Sequence, residues 1–165
     1  MPTRRLSDPQ TLDDLLLYVL WNFQSTAGGL VTRLCEVEFG ITRREWRLLA
    51  GLALHEGLQP SELAERIGLD RARTSRALTT LAHKQLIQRT PRPGDHRQVL
   101  IHLTAAGRRC YDALLPRIAQ INRDLLAALD GTQQQQLDDL LWRLQQRAES
   151  LRALATIACK NRASS

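Results

Sequence analysis

Ser61-Glu-Leu-Ala-Glu-Arg-Ile-Gly-Leu-Asp70 runs directly into Arg71-Ala-Arg-Thr-Ser-Arg-Ala-Leu-Thr-Thr-Leu-Ala-His-Lys84. The first stretch reads as a short helix with Leu63, Ala64 and Ile67 on one face and Gly68 as its stop. After Leu69-Asp70 a second helix runs from Arg71 to about Lys84, with Leu78, Leu81 and Ala82 inward. Upstream, Thr42 and Glu45 have capping-box spacing, and Trp46, Leu49, Leu52 and Ala53 supply the apolar face of a helix reaching His55-Glu56-Gly57. Downstream the period changes from helical to alternating. Residues 86–89 and 98–103 read as strands, with Val99, Ile101 and Leu103 alternating against Gln98, Leu100 and His102. Pro91-Arg-Pro-Gly-Asp-His96 between them suits a hairpin tip.

Longer helices flank this block. Thr11 with Asp14 marks a start, and Leu12, Leu15, Leu16, Val19, Phe23, Ala27, Leu30, Val31 and Leu34 recur at helical spacing to about Val37, with Gly40 as the stop. Leu17, Tyr18 and Leu20 widen the apolar stripe beyond one contact face. Gly28-Gly29 in the helix interior costs roughly 1 kcal/mol per glycine against alanine, which implies a close helix crossing or a kink. Thr104 caps a further helix, with Pro116 as a kink point, and Asp130-Gly131 ends it. Thr132 with Gln135 starts the last helix, in which Leu137, Leu140, Leu141, Leu144, Ala148 and Leu151 step by three and four, as in helix-to-helix packing. The order is helix, short helix, turn, helix, hairpin. The expected fold is therefore mainly α with a small β-hairpin wing: a winged helix-turn-helix flanked by long N- and C-terminal dimerisation helices. The corresponding segments are 1–40, a dimerisation helix; 41–103, the winged domain; 104–160, further dimerisation helices; and 161–165, a polar tail. Two long, broadly apolar helices cannot all be buried by a winged domain of about 65 residues, which by itself calls for a second subunit.

Charge falls on the same block. The 165-residue chain has a formal net charge of +6. Residues 60–110 hold ten basic side chains against four acidic ones, while the rest of the chain carries 13 of each. The whole excess therefore sits in under a third of the sequence, which is the footprint of a polyanion. In a helix-turn-helix the second helix lies in the major groove with its N-terminal residues toward base edges. The solvent face expected there holds Arg71, Arg73, Thr74, Ser75, Arg76 and Thr79. Arginine pairs bidentately with guanine, and Ser and Thr are adaptable donors. Ser61 would offer its hydroxyl and a helix N-terminus to a phosphate. The hairpin tip presents Arg92, His96 and Arg97, and arginine on a thin projection suits a narrow minor groove.

At these residues the chain resembles the MarR family of bacterial transcriptional regulators, over roughly 41–107. The resemblance rests on the stretch 61–70 quoted above, Thr74-Ser-Arg-Ala-Leu-Thr-Thr-Leu81 and Leu86-Ile-Gln-Arg89. It rests most specifically on Gly94-Asp-His-Arg97 leading to Ile101-His-Leu-Thr-Ala-Ala-Gly107. It implies an obligate homodimer built by the first and last helices, binding a pseudo-palindromic double-stranded DNA operator. It also implies Arg97 as the minor-groove arginine, positioned by Asp95, and a repressor released by a small effector bound between the dimer helices and the DNA-binding lobe. Trp21, Trp46, Arg47 and His55 fall where the family's effector pocket would lie, with Tyr18, Ser25 and Arg33 as further candidates. An aromatic wall with a cation or imidazole suits an aromatic or heteroaromatic carboxylate.

Other chemistry is not called for. The histidines 55, 83, 96 and 102 form no i, i+4 pair, so no metal or cofactor is expected. There is no phosphate-cradling glycine loop and no nucleophile motif, so no catalysis is expected. Three cysteines, Cys35, Cys110 and Cys159, are odd in number and far apart, which fits reduced thiols in a cytoplasmic protein. The longest apolar run, residues 15–21, is far below the ~20 residues needed to span a bilayer. Two other functions fit the composition. One is a thiol-based redox-sensing regulator acting through Cys35, which otherwise reads as an inert buried thiol. The other is a helical interaction module whose basic block meets an acidic protein or membrane surface.

Overall fold

The Thr11–Asp14 box closes a single 3-10 turn, Leu12–Asp14, in which the Asp14 carboxylate accepts from the Thr11 N–H and hydroxyl. The computed structural model describes residues 5–163, and for His96 and 156–163 the backbone alone. Leu15 is extended, so α1 begins only at Leu16 and runs to Arg33; its last turn widens into a π-helical segment, Leu34–Glu38. The single helix expected from about residue 12 to Val37 is thus interrupted at its start, because the carboxylate cap satisfies a tighter turn than an α-helix. Gly40 then takes a φ of +62°, the left-handed stop expected there. Gly28 is buried against the guanidinium of Arg43, where a Cβ would collide, while Gly29 faces open space. Within the chain it is a side chain folded back from the next helix that lies over Gly28.

Thr42 and Glu45 cap α2 (Arg43–Leu54) reciprocally, with Thr42 N–H donating to Glu45 Oε2 at 2.7 Å and Glu45 N–H to Thr42 Oγ1 at 3.2 Å. Next come α3 (Pro60–Arg66) and α4 (Arg71–His83), the latter capped by Asp70, whose carboxylate accepts from the Arg73 N–H at 2.9 Å. Leu48, Leu49 and Leu52 of α2, Leu63 of α3, and Leu78 and Leu81 of α4 are fully buried together with Ile101. Burying a leucine side chain is worth about 1.5–3 kcal/mol, so this cluster holds the three helices at fixed angles.

The hairpin is β1 (Ile87–Arg92) antiparallel to β2 (Asp95–Leu103), in register Ile87 opposite Leu103 and Arg89 opposite Ile101. The strands are longer than expected because Pro93-Gly94 alone makes the turn, with Gly94 at φ +82°. The register slips after Pro91, where Arg92 pairs with Asp95, so the extra residues bulge out of β2. The α2–α3 connection joins the sheet: Ile101 N–H donates to Leu58 O at 2.8 Å and Gly57 N–H to Ile101 O at 3.2 Å.

α5 (Ala105–Leu126) starts on Thr104, whose hydroxyl accepts from the Gly107 N–H at 3.0 Å and donates to Gln85 O at 2.7 Å. A Cβ on Gly107 would run into the Leu86 carbonyl, so only glycine lets the helix start this close to the α4–β1 turn. The helix is continuous through Pro116. α6 (Gly131–Ala163) is capped by Asp130 and Gln133, two residues earlier than the expected Thr132 and Gln135, and the expected tail at 161–163 continues the helix. Residues 164–165 lie outside the described residues.

The chain divides into two compact units, one ending at Ile121 and one beginning at Asn122. In the first, Leu17, Leu20, Trp21, Phe23 and Leu30 of α1 are exposed. In the second, Leu137, Leu140, Leu141, Trp142, Leu151 and Leu154 of α6 are exposed.

Candidate nucleic-acid interface

α4 has two faces. Thr74, Leu78 and Leu81 form its buried stripe, and Arg71, Arg73, Ser75, Arg76 and Thr79 are exposed on the other side. Thr74 was expected on the solvent face, but it is 1% exposed. It precedes Leu78 by four residues and Leu81 by seven, which places it on the core side. Its Oγ1 is buried without a hydrogen-bond partner. Thr79 donates its hydroxyl to Ser75 O at 3.1 Å, which leaves its oxygen as an acceptor on the surface. Arg71, Ser75 and Thr79 lie four residues apart along one line, and Arg76 and Arg73 both lie to one side of it, toward the start of α2.

Ser61 is the second residue of α3 and half-buried; the cap is Gln59, whose N–H donates to Glu62 Oε2 at 2.8 Å. On the wing, Asp95 accepts from the Arg97 N–H at 3.1 Å, so the carboxylate shapes the backbone of the bulge and leaves the exposed Arg97 side chain outside any ion pair among the described residues. Arg92 Nη1 donates to Gln98 Oε1 at 2.7 Å, and the same oxygen accepts from Gln59 Nε2 at 2.9 Å. Gln98 therefore ties the wing to the entry of α3, a contact that sequence reasoning missed because its partners are 39 residues apart. The side chain of His96 lies outside the described residues.

The expected effector residues separate into two groups. Trp21, Ser25 and Arg33 border a hollow of about 490 Å³ along α1, together with Gly28, Glu36 and Arg43. Tyr18 stacks on Trp21 with ring centroids 5.8 Å apart. Trp46, in contrast, is buried and stacks on Tyr111 at 5.5 Å. Arg47 donates to the Ile67 carbonyl and closes the end of α3, and His55 is exposed just after α2; neither borders the hollow. Arg43 was not anticipated. The signal for it was Gly28, whose missing side chain makes the room that its guanidinium fills.

Cys35 is fully buried, and burial, reinforced by the neighbouring Cys110, pushes its thiol above the ordinary range. Burial also raises Cys110. A peroxide-reactive cysteine needs thiolate character and access, and the burial of Cys35 works against both. The side chain of Cys159 lies outside the described residues. Among the described residues no cluster of His, Cys, Asp or Glu could hold a metal ion, and no helix is long and apolar enough to cross a membrane.

A basic recognition helix beside an arginine-tipped wing defines a winged helix-turn-helix transcription regulator. The model of the MarR family matches residues 39–98. A crystal structure of a probable transcriptional regulator from Pseudomonas aeruginosa is similar at 30% identity and a TM-score of 0.69, covering 81% of this chain and 99% of that one. The PcaV transcriptional regulator from Streptomyces coelicolor, solved with its natural ligand, is similar at 25% identity and a TM-score of 0.69, over 86% of this chain and 99% of that one. The transcriptional repressor NicR of Pseudomonas putida is 29% identical over 91 residues, 55% of this chain; the match spans 58% of the repressor's length. The chain belongs to the MarR family, whose members are transcription regulators and not enzymes.

Proposed function

We propose that this protein is a dimeric repressor that binds a pseudo-palindromic operator in the cytoplasm and leaves it when a small aromatic or heteroaromatic acid binds. The observation that carries the DNA-binding reading is the coincidence of charge and fold. All of the +6 excess falls in residues 60–110, and that block puts Arg71, Arg73 and Arg76 on one exposed helix face and Arg92 and Arg97 on the wing. Phosphate neutralisation drives affinity, and the exposed face from Arg71 to Thr79 reads bases while Arg97 enters the minor groove.

Dimerisation is supported by the apolar side chains left exposed on α1 and α6, among them Leu17, Trp21, Phe23, Leu140, Trp142 and Leu154. Soluble monomers rarely leave large apolar patches exposed, so the exposed side chains on each of these helices call for a covering partner. In this reading 1–40 and 104–160 dimerise and 41–103 binds DNA. The effector reading is supported by the hollow on α1, where the Trp21 ring offers a stacking face and Arg33 and Arg43 offer cations for a carboxylate. The reading is further supported by similarity to PcaV, which was solved with its natural ligand, and to NicR, which is a repressor.

The wing provides the test. Arg97→Ala weakens binding to the tightest duplex selected from a random library, while its thermal melt stays that of the parent protein. An unchanged affinity with an unchanged melt removes the wing from the DNA interface.

A further inference from the structure

A hollow of about 520 Å³ opens between the first turn of α2 and the flank of α4. Arg44 of α2 and Arg73 and Arg76 of α4 border it. All three are exposed, and none has a carboxylate partner among the described residues. The fourth cation there, Lys84, is engaged otherwise: its Nζ is 2.8 Å from Glu45 Oε2 and 2.8 Å from Gly40 O. Glu45 is 2% exposed and also accepts from the Thr42 N–H. Lys84 thus neutralises the one carboxylate that borders the hollow among the described residues and joins the start of α2 to the end of α4. The charge presented outward is that of three guanidiniums.

Three like charges on two rigidly joined helices repel one another unless an anion sits among them. The occupant must be rich in acceptor oxygens, since a guanidinium only donates. Among the described residues no aromatic side chain borders the hollow, so a flat effector gains no stacking there. Arg73 and Arg76 continue onto the exposed face of α4, so an extended polyanion lying along that helix would enter the hollow too.

We propose that this hollow seats backbone phosphates of the operator beside the major groove, with Arg44 as a DNA contact outside the helix-turn-helix pair and the wing. This rests on the DNA-binding reading above. Lys84 is a positioning residue here: through Glu45 it sets where Arg44 stands relative to Arg73 and Arg76. A phosphate contact carries no sequence information, so its loss weakens all duplexes alike.

The experiment is fluorescence anisotropy of the full chain on the selected duplex and on a scrambled duplex, across a salt series, for the parent protein, Arg44→Gln and Arg109→Gln. Arg109 is an exposed arginine on α5 and controls for the loss of one charge. Arg44→Gln weakens both duplexes by the same factor and makes the slope of log affinity against log salt shallower by about one per protomer. Arg109→Gln keeps the parent slope. If Arg44→Gln also keeps it, or moves it no more than Arg109→Gln does, the phosphate seat is wrong while the DNA-binding reading stands. If the parent protein binds neither duplex, that reading fails and the seat fails with it.

Discussion

The Thr74 hydroxyl is held in the core of the winged domain with nothing to bond to, on the side of α4 that faces away from solvent. A buried hydroxyl without a partner costs about 1–3 kcal/mol. Thr74→Val keeps the shape and removes that cost, so it should raise stability by about 1 kcal/mol, read as a higher melting temperature, and leave duplex affinity unchanged. A loss of affinity would show that Thr74 does reach DNA. The residue illustrates what could be read in advance and what could not. Its spacing from Leu78 and Leu81 already placed it inward, but its hydroxyl suggested a base contact, and position outweighed chemistry. The exposed arginines of the same helix were legible because no large apolar side chain shares their face. Arg47 was not. Its role at the end of α3 depends on a carbonyl 20 residues away, which no local pattern encodes.

At the scale of elements the wing was the most legible part, because a change of hydrophobic period and a Pro-Gly turn mark a hairpin wherever they occur together. Its register was not legible. The bulge after Pro91 depends on Asp95 holding the Arg97 N–H, and the attachment of the wing depends on Gln98 bridging Arg92 and Gln59. Gln98→Ala should therefore loosen the wing without unfolding the domain. Duplex affinity falls and backbone amides around Arg97 exchange faster with solvent, while the amides of α2 and α4 keep their protection. Uniform loss of protection across all these elements would mean that Gln98 stabilises the whole domain instead. The starts of α1 and α6 also moved from their expected places. At both ends a carboxylate capped a turn other than the one expected, Asp14 closing a 3-10 turn and Asp130 capping ahead of Thr132. Several Thr, Asp and Gln residues near a helix start offer competing caps of similar strength, about 1 kcal/mol each.

Charge and apolar surface divide the molecule between two tasks. The charge excess gathers in 60–110, and exposed leucine and tryptophan gather on α1 and α6, where the remainder of the chain is neutral overall. A two-fold dimer makes sense of both, since it covers the apolar helices and presents two basic recognition helices to one duplex. In the proposed dimer the half-sites would lie one helical turn, ~34 Å, or a multiple of it apart, on the same side of the DNA. The hollow proposed for the effector was the least legible feature. Of the seven residues expected there, Trp21, Ser25 and Arg33 border it, Tyr18 stacks behind, and Trp46, Arg47 and His55 serve elsewhere, because a pocket is assembled by tertiary packing and not by local pattern. The most direct measurement compares anisotropy titrations on the selected operator and on the same operator with about half a helical turn, ~5 base pairs, inserted between its half-sites. The dimeric winged-helix account predicts tight, salt-dependent binding to the first and a fall toward scrambled-duplex affinity on the second. Equal affinity for both would contradict it.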